Sequence, residues 1–243
     1  MQVKKRDGSL EPLDIDKLHK VVMYACEGIA GVSASQVEIN SKIQFFESMA
    51  TKDIQETLIK SAADLISEET PNYQYVAGRL INYHLRKMVY DSFTPPCLCD
   101  IIDKNIDAGF YDKEFRELYT KDDIDDLNEH INHDRDEVLT YAAMEQFRGK
   151  YLVQNRATGE IFETPQVAYM MISATLFSKY PAETRLQYVK AYYDAISQFK
   201  LSLPTPIMAG VRTPQRQFSS CVLIETDDSL DSINATTSAV VKY

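Results

Sequence analysis

The sequence predicts a mainly α-helical fold with a small β-hairpin at its N-terminus and one short strand near its C-terminus. Apolar residues recur at helical spacing through most of the chain, as at Ile15, Leu18 and Val21. Asp7-Gly8 separates two short extended runs, which is the pattern of a two-residue hairpin turn. The apolar run at 220–224 has the length and composition of a strand.

The first of three stretches in the chain, residues 1–92, is expected to form the hairpin followed by about four helices. Each helix has a recognisable start, which is a capping side chain, a capping-box pair or a proline in the first turn. The predicted starts are Asp14, Ser35 with Glu38, Thr51 and Pro71. A hairpin capping a four-helix module is therefore expected at the N-terminus.

The second stretch, residues 93–200, is predicted to be mostly helical. Thr164-Pro165 and Tyr180-Pro181 mark helix starts, because proline fits the first turn of a helix. The helices that follow bury apolar positions at helical spacing, among them Ile172 and Val189. This stretch should therefore form a separate helical unit.

The third stretch, residues 201–243, holds the predicted strand and then a helix that starts near Asp227. That helix runs to Tyr243 without a capping glycine or proline. The pattern predicts a helix that is cut within a longer chain. An unpaired strand edge would also make this stretch poorly soluble or partly disordered in isolation.

The composition excludes several classes of protein. A net charge of −10 argues against general nucleic-acid binding, and no apolar run is long enough to predict a membrane span. The charged first residues predict no secretory signal. Four cysteines are too few for a secreted disulfide framework, so a reducing compartment is expected. Neither familiar glycine-rich phosphate loop is present.

A small basic cluster lies on the hairpin and the helix after it. Lys4, Lys5, Arg6 and Lys17 would surround a helix N-terminus, whose free N–H groups and positive dipole favour anions. A phosphorylated ligand is one interpretation and a solvated basic face is the other. Spacing alone favours the solvated face.

The cysteines and histidines carry little signal by themselves. Cys221, inside an apolar run, would ordinarily be an inert small hydrophobe, and a redox role would need a second thiol nearby. Cys97 and Cys99 form a pair without further ligands, which predicts a structural role more than a zinc site. His130 and His133 are likewise expected at an acidic surface or a helix cap. No metal held by this chain is predicted.

Longer segments match a known family in order and spacing. These segments are 3–8, 14–18, 53–57, 73–80, 84–87, 133–136, 149–155, 184–189, 203–208, 217–223 and 228–234. The first two resemble the start of an ATP cone, a nucleotide-sensing module. Together the segments resemble the large subunit of aerobic class I ribonucleotide reductases of enteric bacteria and their phages. The resemblance implies an ATP cone at 1–92, a helical domain at 93–200, and at 201–243 the first strand and helix of an incomplete α/β barrel.

The resemblance also implies an activity site that binds ATP or dATP, with Mg²⁺, as allosteric effectors. Its implied residues are Lys5, Arg6, Glu11, Pro12, Leu13, Asp14, Ile15, Asp16, Lys17, Thr51, Gln55 and Lys87. Lys5, Lys17 and Lys87 would neutralise the phosphates. Asp14 and Gln55 depart from the asparagine and histidine that relatives tend to carry. These departures predict nucleotide binding with weakened discrimination of dATP from ATP.

Catalytic residues are implied in the third stretch. Cys221 matches one thiol of the pair that reduces ribonucleotides to deoxyribonucleotides in this radical-dependent oxidoreductase, and two sulfurs are required because two electrons must be supplied. Thr205 and Ser220 match substrate-binding positions. Asp228, Ser229 and Leu230 match part of a second effector site, which reads deoxynucleotides at the dimer interface.

The radical-bearing cysteine, the partner thiol and the relay cysteines of the family would lie beyond Tyr243. The chain is therefore expected to be catalytically incomplete, either as half of a split large subunit or as a truncation. Expected partners are a complementing C-terminal half, a second large subunit, a small subunit that supplies the radical, and thioredoxin or glutaredoxin. A cytoplasmic location is expected, in the host cytoplasm if a phage encodes the chain.

Two other functions are compatible with the residues. The chain could be a freestanding ATP-cone regulator that binds nucleotide without catalysis, or a helical remnant without a ligand. The segment from Leu203 to Asn234 favours the reductase, because a sensor has no use for a barrel strand with a substrate-site cysteine.

Overall fold

The computed structural model describes residues 1–5, 8–42 and 44–243, and these form a mainly helical fold with one small sheet. The helices are α1 (Ile15–Cys26), α2 (Ala34–Lys42), α3 (Thr51–Ala63), α4 (Tyr73–Tyr90), α5 (Leu98–Asp107), α6 (Phe115–Leu118), α7 (Lys121–His130), α8 (Tyr141–Gln146), α9 (Pro165–Leu176), α10 (Ala182–Ser197), α11 (Thr205–Gly210) and α12 (Leu230–Lys242). A 3-10 helix at His133–Val138 precedes α8, and a π-helical turn at Phe147–Tyr151 follows it. The predicted mainly helical class is confirmed.

The sheet contains the predicted hairpin and one strand that the sequence did not predict. Strands β1 (Gln2–Lys4) and β2 (Leu10–Pro12) pair antiparallel, while their turn residues Arg6 and Asp7 lie outside the described part of the chain. Strand β3 (Met49–Ala50) pairs parallel to β1 and leads directly into α3. The sheet thereby brings the start of α3 beside the hairpin.

Two of the four predicted helix starts in this region are observed, and two are shifted. Asp14 caps α1 by accepting a hydrogen bond from Lys17 N at 3.1 Å, and Thr51 begins α3. The Ser35–Glu38 capping box is wrong, because the hydroxyl of Ser33 already accepts from Gln36 N at 3.4 Å. Helix α4 begins two residues after Pro71, because the chain around Pro71 forms a turn first.

Helix α4 is the central element of the fold. It packs against α1, α3, α8 and the 3-10 helix. One continuous apolar core contains Leu80 and Ile81 of α4 together with Met170 and Ile172 of α9. This core runs across the predicted boundary at residue 92, and that boundary stays a prediction.

The predicted strand at 220–224 is not formed as a strand. Residues 219–231 are exposed and make no β-pairing with other described residues. A strand requires a hydrogen-bonded neighbour, and the described chain offers none here. The helix after it is present as α12, capped by Ser229, whose hydroxyl accepts from Ser232 N at 3.2 Å. The wider prediction of an incomplete barrel remains a prediction.

None of the helices in the described part of the chain combines the length and the apolar character needed to cross a membrane. Helix α4 is the longest, and its buried face carries Asn82, His84 and Arg86 among apolar residues. Polar side chains buried in this way lie at the contact of α4 with its neighbours. They therefore belong to the packing of the domain, and His84 also lines the site described next.

Candidate functional site

A cavity of about 540 Å³ opens between the sheet and helices α1, α3 and α4. Eight residues that the sequence analysis assigned to the activity site lie on its wall. They are Lys5, Glu11, Leu13, Asp14, Lys17, Thr51, Gln55 and Lys87. Residues separated by up to 82 positions therefore meet at one place.

Of the four other residues assigned to that site, the three that the structure describes do not line the cavity. Arg6 lies outside the described residues, and Pro12, Ile15 and Asp16 are exposed and absent from the wall. The helical repeat explains the last two. Asp14 and Lys17 lie on one side of the first turn of α1, and the intervening residues project away from it.

The wall also contains residues that the sequence analysis did not assign to the site. They are Val3, Leu18, Val21, Ile54, Tyr83, His84 and Asp91. Tyr83 and His84 precede Lys87 by four and three positions, so they share its face of α4. That spacing was the signal that could have identified them.

Two of the wall lysines are paired with wall carboxylates. Lys5 Nζ lies 3.0 Å from Glu11 Oε1, and Lys17 Nζ lies 3.4 Å from Asp14 Oδ2. All four side chains are substantially exposed, and ion pairs of this kind contribute about 0–1 kcal/mol. An anionic ligand with several charges can therefore replace the carboxylates at small cost.

The helix N-termini at the cavity differ in how they are capped. Asp14 caps α1, and its hydrogen bond from the backbone N–H of Lys17 lowers the pKa of its carboxyl, which is therefore ionised at neutral pH. The N-cap of α3 is Ala50, which supplies no side-chain hydrogen bond. The first N–H groups of α3, beside Thr51, are thus open to an anion.

The cavity has an apolar part as well as a cationic one. Its apolar side chains come from the sheet, the link between β2 and α1, α1 and α3, with one aromatic ring from α4; they are Val3, Leu13, Leu18, Val21, Ile54 and Tyr83. A ligand with a flat, weakly polar group and a polyanionic tail would satisfy both parts. A nucleoside polyphosphate has this chemistry.

Two protein families match the chain in regions that agree with this architecture. The ATP cone domain matches residues 1–88, and the ribonucleotide reductase all-alpha domain matches residues 137–216. Curated proteins match across the full length. Ribonucleoside-diphosphate reductase 1 subunit alpha of Escherichia coli is 58% identical over 241 residues, which is 99% of this chain and 32% of that protein.

The subunit alpha of Haemophilus influenzae is 58% identical over 243 residues, and that of Enterobacteria phage T4 is 44% identical over 243 residues. Each alignment includes 100% of this chain and 32% of the relative. The chain is therefore similar, over essentially its whole length, to ribonucleotide reductase large subunits. It spans about a third of the length of these relatives and corresponds to their N-terminal part. All residues of the cavity wall except Asp91 lie within the ATP cone match.

The ATP cone is connected to the all-alpha domain through charged side chains behind the cavity wall. His84, of which 4% is exposed, places Nε2 at 3.3 Å from Glu56 Oε1. Arg148 of the π-helical turn donates from Nη1 to Glu56 Oε1 at 2.7 Å. His84 and Arg148 stabilise the charged carboxylate against its partial burial, so the pKa of Glu56 falls to about 2.

Gln55 lies next to this network and is nearly buried. Its Nε2 lies 3.5 Å from the carbonyl oxygen of Leu80, and its side chain reaches the cavity. The amide is therefore held from behind by α4. It can offer a neutral hydrogen-bonding group to a ligand where an imidazole was expected from the resemblance.

The residues assigned to catalysis are not enclosed in a site by the described chain. Ser220 Oγ lies 3.7 Å from Cys221 Sγ, and both residues are exposed. Thr205 begins α11 and is partly buried, at a separate position in the fold. The roles of these three residues remain predictions.

The residues assigned to the second effector site gather at the start of α12. Asp228 and Ser229 precede the helix, and Leu230, its first residue, is 79% exposed. All three lie away from the cavity of the ATP cone, whose wall includes none of them. Their role remains a prediction too.

The described residues contain no cluster of three or more His, Cys, Asp or Glu side chains that could hold a metal ion. His130 Nε2 lies 3.1 Å from Asp194 Oδ2, so this imidazole is engaged in a pair between α7 and α10. Burial lowers the pKa of His133 to about 4. His133 is thus partly inside the fold and not at the acidic surface expected for it.

Proposed function

We propose that this chain is the nucleotide-regulated N-terminal part of a ribonucleoside-diphosphate reductase large subunit, and that its ATP cone binds ATP or dATP. The supporting observation is the cavity of about 540 Å³, where three lysines, an apolar wall and an open helix N-terminus meet. The ATP cone match at residues 1–88 supports the proposal.

In this proposal the phosphates lie near Lys5, Lys17 and Lys87, and the N–H groups at the start of α3 donate to them. The base packs on the apolar wall. Carboxylate oxygens of Glu11 suit the Mg²⁺ that accompanies a nucleotide, because Mg²⁺ prefers oxygen ligands. The phosphates of the nucleotide would supply most of the remaining ligands of the Mg²⁺.

The two departures from the family pattern define the expected selectivity. Asp14 adds a negative charge near the phosphates, and Gln55 replaces an imidazole with a neutral amide. We therefore propose that the cone binds both ATP and dATP and distinguishes them weakly.

For catalysis we propose that Cys221 is one of the two thiols that reduce the ribonucleotide. Two thiols give up two electrons and two hydrogens, the 2′-hydroxyl leaves as water, and the sulfurs join as a disulfide. Thr205 and Ser220 would contact the substrate. Asp228, Ser229 and Leu230 would bind a deoxynucleotide that selects the substrate base.

The proposal requires several partners. The rest of the barrel, with the second thiol and the radical cysteine, would come from a complementing C-terminal part of the large subunit. A second large subunit, a small radical-generating subunit, and thioredoxin or glutaredoxin would complete the enzyme in the cytoplasm. We retain the division into an ATP cone at 1–92, a helical domain at 93–200 and a barrel start at 201–243.

A second candidate, a freestanding nucleotide-binding regulator, is favoured by one observation. All residues of the cavity wall except Asp91 lie within the ATP cone match at 1–88, whereas Cys221 lies in an exposed stretch. Nucleotide binding alone would therefore not distinguish the two candidates.

The distinguishing experiment isolates the tagged chain from its native cells and assays the complex for reduction of a ribonucleoside diphosphate. We expect a barrel-bearing partner to co-purify and to give turnover that Cys221→Ser abolishes without dissociating the complex. Cys97→Ser is the matched control and should retain turnover. Full turnover by Cys221→Ser would contradict the catalytic role, and a chain that binds nucleotide but recovers no such partner would identify the regulator.

A further inference from the structure

Glu56 lies between the cavity of the ATP cone and the all-alpha domain. Its Oε1 is 3.3 Å from Nε2 of His84, which forms part of the cavity wall. The same carboxylate accepts two hydrogen bonds from Arg148, from Nη1 at 2.7 Å and from Nη2 at 3.3 Å. The Glu56 carboxylate of the ATP cone is thus held by both His84 and Arg148.

Arg148 belongs to a different part of the protein from His84. It lies in the π-helical turn after α8, 60 residues beyond the end of the ATP cone match at residue 88. Its guanidinium also binds Glu145, with Nη2 at 2.6 Å and Nε at 3.0 Å. One arginine therefore bridges a carboxylate of the cone and a carboxylate of its own segment, and π-helical turns often occur at functional sites.

The network constrains the imidazole of His84. Glu56 is ionised at neutral pH and can only accept hydrogen bonds, so it favours a proton on Nε2 of His84. Arg148 keeps the carboxylate in the position where it can do so. Without Arg148, Glu56 would be free to rotate toward solvent, because 45% of its side chain is already exposed.

The opposite end of the π-helical turn is also anchored. The carbonyl oxygen of Tyr151 accepts from Arg212 Nη2 at 3.0 Å. Arg212 is buried, pairs with Glu163, and donates from Nη1 to the carbonyl of Met208 in α11 at 2.7 Å. A change in the order of this turn would therefore be transmitted through Arg212 to α11, which begins at Thr205.

We propose that Arg148 is a positioning residue for nucleotide binding: through Glu56 it orients His84 on the cavity wall and couples the ATP cone to the π-helical turn. This inference rests on the proposed nucleotide-binding function. Coupling of this kind is reciprocal, so a nucleotide that uses the ordered His84 also stabilises the turn that holds it.

The test compares four variants of the chain by calorimetric titration with dATP. Arg148→Met and Glu56→Gln should each weaken binding by about threefold to tenfold, and the double variant should be no weaker than either one, because both act through one network. Glu145→Gln is the matched control. It removes the other partner of Arg148 without touching His84, and it should bind within about twofold of the wild type.

Two further readouts separate positioning from a general loss of structure. The ¹⁵N spectrum of the His84 imidazole should show the proton on Nε2 in the wild type and a changed distribution in Arg148→Met. Hydrogen exchange at residues 147–151 should slow on addition of dATP in the wild type and not in Arg148→Met.

Wild-type binding by Arg148→Met, additive losses in the double variant, an unchanged His84 spectrum, or equal losses in Glu145→Gln would each overturn the proposal while leaving nucleotide binding intact. A wild-type chain that binds no dATP would overturn the proposed function itself.

Discussion

The Cα of Gly78 in α4 lies so close to the backbone of Leu139 that a Cβ at this position would be 2.1 Å from the Leu139 carbonyl oxygen. Atoms at that separation overlap, so a side chain here would force the helix and the 139–140 segment apart. This contact joins the helix that lines the cavity to the segment that starts α8. It explains why a glycine occupies the buried middle of a long helix, where it is otherwise unfavourable.

Gly78→Ala should therefore destabilise the protein strongly. The backbone of Leu139 has no flexible side chain to give way, and overpacking of this kind costs about 1–3 kcal/mol or more. Urea unfolding followed by circular dichroism measures the loss. Gly149→Ala is the matched control, because nothing lies within 4 Å of its Cβ position. Equal stability of the two variants would contradict the close approach.

The buried carboxyl of Asp136 should make stability depend on pH. Burial raises its pKa to about 6, even though Gln166 and Arg86 stabilise its charged form. The pKa of Asp136 in the folded protein is above the unfolded value of 3.8, so its protonated carboxyl contributes stability. That stability is fully present below about pH 3.8 and is lost as pH rises through 6. Between pH 5 and 8 it should remove about 1 kcal/mol of stability.

Comparison of the wild type with Asp136→Asn isolates this contribution. The asparagine retains a partner for Gln166 Nε2, which donates to Asp136 Oδ1 at 2.8 Å. His133, whose pKa is lowered to about 4, titrates in both proteins and so cancels in the difference. Urea midpoints at pH 5 and pH 8 give the result. A difference between the two proteins that does not change with pH would contradict the assignment.

Removal of the charge on Asp14 should strengthen binding of a nucleoside triphosphate. Asp14→Asn keeps the N-cap, because asparagine caps helices as well as aspartate does. It also releases Lys17 from its 3.4 Å pair and removes a repulsive charge beside the cavity. We expect affinity for dATP to rise about threefold at low salt, with a smaller gain at high salt. Weaker binding by Asp14→Asn would show that the carboxylate itself contacts the ligand.

The local features of this site were accessible from the sequence. The hairpin, the Asp14 cap and the start of α3 at Thr51 each depend on residues within a few positions of one another. The basic cluster on the hairpin and α1 was visible, but spacing alone favoured a solvated surface. The resemblance to the family was needed to bring Lys87 to the same place.

The features that sequence analysis missed depend on distant contacts. Strand β3 has two residues, and only its pairing with β1 across more than forty positions makes it a strand. Arg148 reaches Glu56 across 92 positions, and no local pattern marks that pair. The predicted strand at 220–224 also depends on distant contacts: its composition is suitable, but it pairs with no other described residue.

The most direct test of the central claim is calorimetric titration of the chain with dATP and ATP, using Lys17→Ala and Lys60→Ala as a matched pair. Lys17 lies on the cavity wall, whereas Lys60 is an exposed lysine of α3 away from it. For each nucleotide, we expect Lys60→Ala to bind with the affinity of the wild type. Lys17→Ala should bind each nucleotide about tenfold more weakly than the wild type, because it loses a charge-assisted contact to phosphate. Absence of nucleotide binding by the wild type, or equal binding by the two variants, would contradict the account.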